Sequence, residues 1–254
     1  MRLATFNILH GQTTRDGVVD LDRLRDCVRS LDADVLALQE VDVHQPRSGM
    51  ADLTAVAAEA MGAVSHRFVA AIAGTPGATW MAATGDGPPG TAGYGIALLS
   101  RYPVSTWQVV RLPRIPVRFP MYLSAPKRIQ IIDEEPRAAV IATIETPAGV
   151  LSVANTHLSF VPGWNRRQLR ALSGDLRAFP GVRVLMGDLN TSPARAARWS
   201  GMHALATAPT FPAENPERQL DHILTDAREL RAVTCSTPPM ALSDHRPLVV
   251  DVAD

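Results

Sequence analysis

Two polar residues follow an apolar run late in the chain. In the stretch VLMGDLN, Asp188 and Asn190 come directly after a hydrophobic segment that ends at a glycine. A carboxylate at such a position can orient a water molecule or accept a proton from it. A neutral amide can donate a hydrogen bond to a phosphoryl oxygen without repelling an anionic substrate. Because side chains alternate along an extended strand, the spacing predicts that the two groups share one face.

Six further polar residues interrupt or end apolar runs in the same way. Carboxylates and amides at such positions cost free energy unless they are paired, hydrogen-bonded or bound to a cation. Taken one at a time, each has an ordinary structural explanation as a strand-end hydrogen bonder, a cap or a turn former. Taken together with Asp188 and Asn190, they favour a single cleft at one edge of a sheet. The six are Asn7, Glu40, His157, Asp221, Asp244 and His245.

The chemistry of this set indicates a hard cation and a phosphoric ester. Oxygen donors without a thiolate suit Mg²⁺ or Mn²⁺ better than zinc. Such a cation polarises a phosphoryl oxygen and lowers the pKa of a bound water. Asp221 can hold an imidazole in the required tautomer, as the acidic member of a serine hydrolase triad does. The chain has no Gly-x-Ser-x-Gly motif and no glycine-rich nucleotide loop after its first strand.

Helix-like and strand-like segments alternate along the chain, which predicts an α/β fold. Apolar periodicity predicts a helix that follows Asp20 as its N-cap and ends at Leu31. A second helix is expected over Asp52–Met61, ending at Gly62. A third carries apolar residues from Leu169 to Phe179 and ends before a proline.

The strands are expected to form mixed sheets covered by helices. A hairpin around residues 147–149, within a mostly alternating chain, argues against a purely parallel sheet. No change in composition marks a domain boundary, so residues 1–254 are expected to form a single catalytic domain. The predicted strands are RLATFNI, DVLALQEV, YGIALLS, RAAVIATIET, VLSVANTHL, VRVLMGDLN, LDHILT and RPLVVDV.

The composition limits the partners that the protein can attract and favours one cellular compartment. Lys plus Arg and Asp plus Glu number 25 each, so no net charge attracts nucleic acid or an anionic membrane. The two cysteines, Cys27 and Cys235, indicate a reducing compartment. No apolar run approaches the ~18 residues of a membrane helix. We therefore expect a cytoplasmic protein without stable membrane insertion, and the sequence indicates no obligate protein partner.

Two stretches rich in glycine and proline, Gly74–Gly93 and Arg111–Pro126, are predicted to be long ordered loops. The second belongs to a basic insertion that ends at residue 137. One hypothesis makes this insertion a substrate-recognition wall whose cations meet phosphates. The alternative is a packed loop with a solvated basic edge. The cations concerned are Arg118, Lys127, Arg128 and Arg137.

Eight short motifs in a fixed order resemble the endonuclease/exonuclease/phosphatase superfamily, the deoxyribonuclease I-like group. They span nearly the whole chain, beginning at Asn7. The resemblance implies a four-layered sandwich of two mixed β-sheets flanked by helices, with the active site at one lip. The motifs are TFNI, LQEV, YGIALLSRYP, EEPRAAV, NTHL, GDLN, QLDHIL and SDHRPL.

The same resemblance implies roles for the eight residues. Asp188 corresponds to the group that orients or deprotonates the attacking water, and Asp221 supports His245. Arg167 and Gln168 correspond to a helix motif that supports the loop after the catalytic histidine. The implied catalytic residues are His157, Asp188, Asn190, Asp221 and His245. The implied metal residues are Asn7, Glu40, Asp188, Asn190, Asp244 and His245.

Together these features predict a hydrolase of phosphoric esters that uses Mg²⁺ or Mn²⁺ and an activated water. A phosphodiesterase is the leading hypothesis. A phosphomonoesterase and a nuclease acting on single-stranded or damaged nucleic acid are alternatives. The nuclease requires a stacking platform built from some of the tryptophans. A non-catalytic binding protein of the same fold is disfavoured because all eight groups are present.

Overall fold

Two β-sheets form the centre of the molecule. The computed structural model describes residues 1–85, 90–116, 118–124 and 127–253. The helices are α1 (Leu21–Leu31), α2 (Leu53–Met61), α3 (Trp164–Leu176) and α4 (Pro193–Ser200). The strands are β1 (Arg2–Asn7), β2 (Val35–Val43), β3 (Ser65–Gly74), β4 (Trp80–Ala82), β5 (Gly93–Ser100), β6 (Val104–Arg111), β7 (Phe119–Ser124), β8 (Lys127–Ile132), β9 (Ala138–Thr146), β10 (Gly149–His157), β11 (Val182–Asp188), β12 (His203–Ala204), β13 (Asp221–Thr225), β14 (Ala232–Ser236) and β15 (Leu248–Val252).

Both sheets are mixed. Sheet A has the strand order β14-β15-β1-β2-β5-β3-β4, and sheet B has the order β12-β13-β11-β10-β9-β6. Strand β1 runs parallel to β2 and β10 runs parallel to β11, whereas the other neighbouring strands are antiparallel. The expected hairpin at residues 147–149 joins β9 to β10. The prediction of mixed sheets is confirmed.

The sheets pack face to face through one apolar core, and helices cover their outer faces. Leu98 of sheet A and Val140 of sheet B belong to the same buried cluster. Leu24 of α1 and Leu53 of α2 pack on the outer face of sheet A. Leu172 of α3 packs with α4 on sheet B. Burying a leucine or valine side chain in this way stabilises the fold by about 1.5–3 kcal/mol. The four layers agree with the predicted sandwich.

Local signals set the ends of the first two helices. The Asp20 carboxylate accepts hydrogen bonds from the backbone N–H groups of Asp22 and Arg23, which caps α1. Asp52 caps α2 through the N–H of Ala55. Gly62 ends α2 in the left-handed conformation, with φ of 69°. These predicted boundaries are confirmed to within one residue.

The two predicted loops are more regular than the sequence indicates. The stretch Arg111–Pro126 contains β7, which pairs with β8 in a hairpin separate from both sheets. The stretch Gly74–Gly93 contains β4, which extends the edge of sheet A. Prolines argue against a central strand, but β7 and β8 are both edge strands, where a missing N–H is tolerated. Residues 86–89 lie outside the described part of the chain.

In the part of the chain that the structure describes, no helix combines the length and the apolar character that crossing a membrane requires.

Candidate active site

Three of the predicted site residues end strands at one lip of the sandwich. Asn7 is the last residue of β1, His157 of β10 and Asp188 of β11. The parallel pairing of β10 with β11 places His157 opposite Asp188. Asp221 begins the antiparallel strand β13 and also lies opposite Asp188. Strand direction and register therefore bring an amide, an imidazole and two carboxylates together.

The Asp188 carboxylate is the centre of these contacts. Its Oδ2 accepts a hydrogen bond from Asn7 Nδ2 at 3.2 Å. The same oxygen lies 3.5 Å from His157 Nε2 and 3.8 Å from His245 Nε2. Its Oδ1 accepts from the backbone N–H of Asn190 at 3.0 Å. With a side chain that is 2% exposed, Asp188 is fixed by groups from four separate segments.

Glu40 reaches the same point through an irregularity in β2. The pairing of β2 with β5 shifts register at this residue, and Glu40 has a left-handed φ of 56°. The bulge turns its side chain to the lip, where Asn7 Nδ2 donates to Glu40 Oε1 at 2.9 Å. One amide nitrogen therefore lies between two carboxylates. Burial raises the pKa of Glu40, and Asp244 adds to the rise.

His245 forms the tightest pair of the site. Its Nδ1 lies 2.8 Å from Asp221 Oδ2, and Asp221 is fully buried. Burial lowers the pKa of His245, but the Asp221 carboxylate, with smaller contributions from Asp188 and Asp244, outweighs burial and raises it to about 10. The imidazole is therefore protonated at neutral pH and donates to Asp221. The ring of Phe211 packs against it at 4.9 Å between centroids.

The two remaining titratable groups are shifted in a direction that suits proton transfer. Burial, followed by the Asp221 carboxylate, raises the pKa of Asp188 to about 7, and protonated His245 opposes the rise. Burial, followed by Arg137 and His245, lowers the pKa of His157 well below its usual range. At neutral pH the site therefore holds a neutral imidazole, an imidazolium and a carboxylate of raised basicity.

Asn190 reaches the cleft by a route that the sequence pattern did not predict. Strand β11 ends at Asp188, and Asn190 has a left-handed φ of 48°, so alternation along an extended chain does not place it. The expectation based on strand alternation is wrong, because the chain turns immediately after the strand. Asn190 Nδ2 donates to the carbonyl of Leu158 at 2.9 Å. That bond uses one of its two amide protons and leaves the other for a ligand.

Five of the eight residues line a cleft of about 600 Å³: Glu40, His157, Asp188, Asn190 and His245. Asn7 and Asp221 hydrogen-bond to members of this group, and Asp244 acts electrostatically on Glu40. The rest of the wall combines carboxylates, cations and apolar side chains. These residues are Tyr94, Asp133, Glu134, Glu135, Arg137, Phe160, Phe211, Arg218 and Leu220.

The predicted substrate-binding cations have different positions. Arg137 is 8% exposed and lines the cleft. Arg118 is exposed outside it and pairs with Asp133 at 3.0 Å. Lys127 and Arg128 lie in β8, in a segment whose side chains fall outside the described part of the structure. Of the two cations whose side chains the structure describes, Arg137 has the position that a substrate contact requires.

Neighbouring polar residues hold the site in place. Gln168 on α3 accepts a hydrogen bond from the N–H of Ser159 at 2.8 Å, which confirms its expected support of the loop after His157. Ser243 donates from its hydroxyl to the carbonyl of Asn7 and accepts from the N–H of His245. Ser243 therefore ties the β1 end to the histidine loop, a link that no local sequence signal reveals.

The sequence also did not single out several cleft residues. Tyr94 and Glu134 stand inside the motifs YGIALLS and EEPR, but only their position in space shows that they face the cleft. Burial raises the pKa of Tyr94 well above its usual range, so its phenol stays protonated. Phe211 and Phe160 lie in loop segments without periodicity.

The donor set fits a hard divalent cation. Glu40 and Asp188 both reach the amide nitrogen of Asn7, and burial raises the pKa of both carboxyls, so a cation between them would offset buried negative charge. Asp188, Asp221 and His245 also approach one another within 4.8 Å. Since protonated His245 donates to Asp221, that second group is less suited to a cation. The Glu40 side of the site therefore fits better.

Comparison with known proteins identifies the family to which the chain belongs. A model of the Endonuclease/Exonuclease/phosphatase family matches residues 4–245, and the chain belongs to this family. Its members generally hydrolyse phosphoric esters. No curated protein matches the chain at a significant level.

Solved structures share the fold. An endonuclease/exonuclease/phosphatase from Beutenbergia cavernae is 24% identical with a TM-score of 0.75, over 99% of this chain and 71% of that one. A mannosyl-6-phosphatase from Bacteroides thetaiotaomicron is 14% identical with a TM-score of 0.68, over 100% of both chains. Sphingomyelinase C from Streptomyces griseocarneus is 16% identical with a TM-score of 0.64, over 100% of this chain and 99% of that one.

Proposed function

We propose that this protein is a divalent-cation-dependent phosphodiesterase that acts through a water activated at Asp188. The observation that carries the proposal is the convergence of Asn7, His157, His245 and the Asn190 backbone on one buried carboxylate. A carboxylate with a pKa near 7 is well matched to general-base catalysis at neutral pH.

The residues divide the reaction among them. Asp188 orients the attacking water and takes its proton as the new bond to phosphorus forms. The N–H groups of His157 and His245 and the free amide proton of Asn190 stabilise the charge that develops on the phosphoryl oxygens. As the bond from phosphorus to the alcohol oxygen breaks, protonated His245 gives its proton to the leaving oxygen. Asp221 keeps the imidazole oriented for this transfer.

Glu40, Asp188 and Asn7, with Asp244 nearby, are the residues that would hold Mg²⁺ or Mn²⁺. When bound, such an ion polarises a phosphoryl oxygen and steadies the leaving group. Asn7 would meet the ion through its Oδ1, which now accepts from the N–H of Leu9 at 3.2 Å. Its Nδ2 would remain hydrogen-bonded to the carboxylates.

The charge of the cleft supports a diester over a monoester. Asp133, Glu134 and Glu135 line the wall beside the site. A phosphodiester carries one negative charge, whereas a phosphomonoester carries about 1.5 to 2 at neutral pH. The carboxylates therefore repel a monoester more strongly.

The tryptophans do not support the nuclease alternative. They lie on four different elements: Trp80 on β4, Trp107 on β6, Trp164 on α3 and Trp199 on α4. None lines the cleft, and Trp107 and Trp199 pack against the apolar cores. Among the described residues, a stacking platform built from tryptophans, as the nuclease hypothesis requires, is therefore absent from the site.

The test compares bis-p-nitrophenyl phosphate with p-nitrophenyl phosphate in the presence of Mg²⁺, Mn²⁺ or a chelator. We expect cation-dependent cleavage of the diester and slower cleavage of the monoester, with the chelator abolishing both. Preferential cleavage of the monoester would replace the diesterase with a phosphatase. Full activity in the chelator would remove the cation from the proposal.

A further inference from the structure

One wall of the cleft carries a buried acid and a buried cation whose hydrogen-bonding capacity is not filled by the described residues. Glu134 is 4% exposed, and neither of its carboxylate oxygens has a hydrogen bond of normal geometry among the described residues. Burial raises the pKa of Glu134, and the nearby Ser159 hydroxyl opposes the rise only in part. Arg137 lies beside it with its Nε also unpartnered. The closest approach of the two side chains is 3.6 Å, too long for a hydrogen bond.

Such groups require an explanation because burial without a partner is costly. Each buried polar group left unpaired costs about 1–3 kcal/mol, and more when it is charged. Glu134 and Arg137 both line the cleft that holds Asp188 and His245. A ligand that enters the cleft can therefore supply the missing partners.

The chemistry of the pair defines that ligand. A carboxylate only accepts hydrogen bonds, and a guanidinium only donates them. A second phosphate would suit Arg137 but would be repelled by Glu134, and a simple cation would suit Glu134 but not Arg137. A hydroxyl group both donates and accepts, so two neighbouring hydroxyls satisfy the acid and the cation together.

The surroundings of the pair fit a neutral, hydroxyl-bearing group. Phe160 stands at the cleft with 44% of its surface exposed, and the Tyr94 ring lies in the same wall. Arg114 and Arg118 already form ion pairs with Asp133, which lines the cleft, at 3.2 and 3.0 Å. An aromatic face beside convergent polar groups is the usual composition of a small-molecule pocket.

We propose that Glu134 and Arg137 form a subsite for a vicinal diol on the alcohol part of the phosphodiester. The inference rests on the proposed function and adds the substrate class: a phosphoric ester of a polyol, such as a glycerol-type or sugar-type alcohol. The carboxylate accepts from both hydroxyls, and Arg137 Nε donates to one of them. The diol thereby fixes the ester relative to Asp188.

The test uses two pairs of diesters with the same p-nitrophenolate leaving group. The first pair is 2,3-dihydroxypropyl and propyl 4-nitrophenyl phosphate. The second pair is glucose-6-yl and cyclohexylmethyl 4-nitrophenyl phosphate. Within a pair, the ratio of kcat/KM cancels the shared chemical step and reports the hydroxyls alone. We expect the hydroxylated member to be favoured by at least about tenfold, since a site built for hydroxyls rejects the analogue without them.

The pairs also separate the two sources of the diol. Preference in the first pair alone indicates a glycerol-type alcohol, and preference in the second alone indicates a sugar. Glu134→Leu and Arg137→Lys should each lower the ratio severalfold, whereas Glu145→Leu, at an exposed carboxylate on β9, should retain it. Ratios near one for the wild-type protein in both pairs would overturn the proposal and leave ordered water as the partner of the two groups.

Failure of the proposed function would look different. If the wild-type protein cleaves no member of either pair, binding of 2,3-dihydroxypropyl and propyl methylphosphonate by calorimetry decides the matter. Tighter binding of the diol that is lost in Glu134→Leu would support the subsite without the hydrolase. Equal binding of the two phosphonates would remove the subsite as well.

Discussion

At the residue scale, the proposed mechanism gives Asp188 and His245 different roles because their environments shift their pKa values in complementary ways. Burial raises the pKa of the Asp188 carboxyl to about 7, so it binds a proton readily. The pKa of His245 rises to about 10 because the Asp221 carboxylate outweighs burial. Between these two values the site contains a deprotonated base and a protonated acid, which is the combination that hydrolysis by activated water requires.

The first prediction removes either of these two groups. Asp188→Asn and His245→Ala should each lower kcat for a phosphodiester by about a hundredfold or more, since each change removes a proton-transfer or electrostatic contribution. Steady-state kinetics at saturating substrate measure the loss. His66→Ala, at an exposed histidine on β3, is the matched control and should leave kcat unchanged. Normal turnover in both active-site variants would disprove the assigned roles.

The second prediction concerns the Asp221–His245 pair and pH. In the proposed mechanism the protonated form of His245 is the active form, so kcat/KM should fall as the pH rises through its pKa. Asp221→Asn removes the carboxylate that outweighs burial, so the alkaline limb should move to lower pH by about one unit or more. Profiles of kcat/KM against pH measure the shift. Asp226→Asn changes a carboxylate that pairs with Arg183 away from the site, and its alkaline limb should match that of the wild-type protein.

At the scale of elements, the contact between β10 and β11 determines the distance from His157 to Asp188. Gly187 precedes Asp188 in β11 and has a φ of 138°. A Cβ atom at this position would lie 1.9 Å from the carbonyl oxygen of Thr156 on the neighbouring strand. Glycine is therefore needed both for the backbone conformation and for the close approach of the two strands.

Gly187→Ala provides the third prediction. The clash and the left-handed backbone should lower the free energy of unfolding by more than about 1 kcal/mol and displace Asp188 from His157. Urea unfolding measures the loss of stability. The kcat, measured at urea concentrations below the unfolding transition, measures the effect of displacing Asp188. Gly174→Ala lies in α3 with open space around the added methyl group, and it should be neutral or stabilising. Equal stability of the two variants would show that β10 and β11 can move apart at Gly187 without loss of stability.

Individual elements show how far the sequence predicts this fold. Helices α1 and α2 carry clear caps at Asp20 and Asp52, so their ends are readable locally. Helix α4 has only eight residues, beginning at Pro193, and is too short for its apolar periodicity to be recognised. The β7–β8 hairpin was predicted as a loop because its prolines outweigh its short apolar run.

The sequence predicts the site residues that end strands, but it does not predict those that long-range contacts bring to the cleft. Asn7, His157 and Asp188 end strands that the sequence shows, so their meeting at one lip follows from sheet geometry. Glu134 has no such signal, because it lies in the irregular segment between β8 and β9. Its burial beside Arg137 is a property of the assembled cleft, which only the folded chain reveals.

At the scale of the whole molecule, a buried polar bridge holds the two sheets in one relative position. Asn155 on β10 donates to the carbonyls of Leu38 at 3.0 Å and Ala97 at 2.7 Å, both in sheet A. Gln39 Nε2 donates back to Asn155 Oδ1 at 2.8 Å. Apolar contacts are non-directional and permit sliding, whereas these bonds specify one alignment. That alignment matters for catalysis, because the site takes residues from both sheets.

The fourth prediction tests whether this bridge connects stability to activity. Asn155→Leu removes three buried hydrogen bonds between the sheets, each worth about 1 kcal/mol, so it should lower the free energy of unfolding by about 3 kcal/mol, even though Gln39 keeps its bond to Thr5. Asn155 lies two residues before His157, and Gln39 directly precedes Glu40, so a small shift of one sheet over the other separates catalytic groups. We therefore expect a reduced kcat even at temperatures where the variant is fully folded.

Urea unfolding and kcat, measured on the same preparation, distinguish the two effects of this change. Thr106→Val removes a single part-buried hydrogen bond to Thr143 within sheet B and is the control, with a change of about 1 kcal/mol and normal kcat. A destabilised Asn155→Leu protein with normal kcat would mean that the apolar core alone aligns the sheets. A fall in both quantities would mean that the alignment of the active site depends on the polar bridge, since the core residues are the same in both proteins.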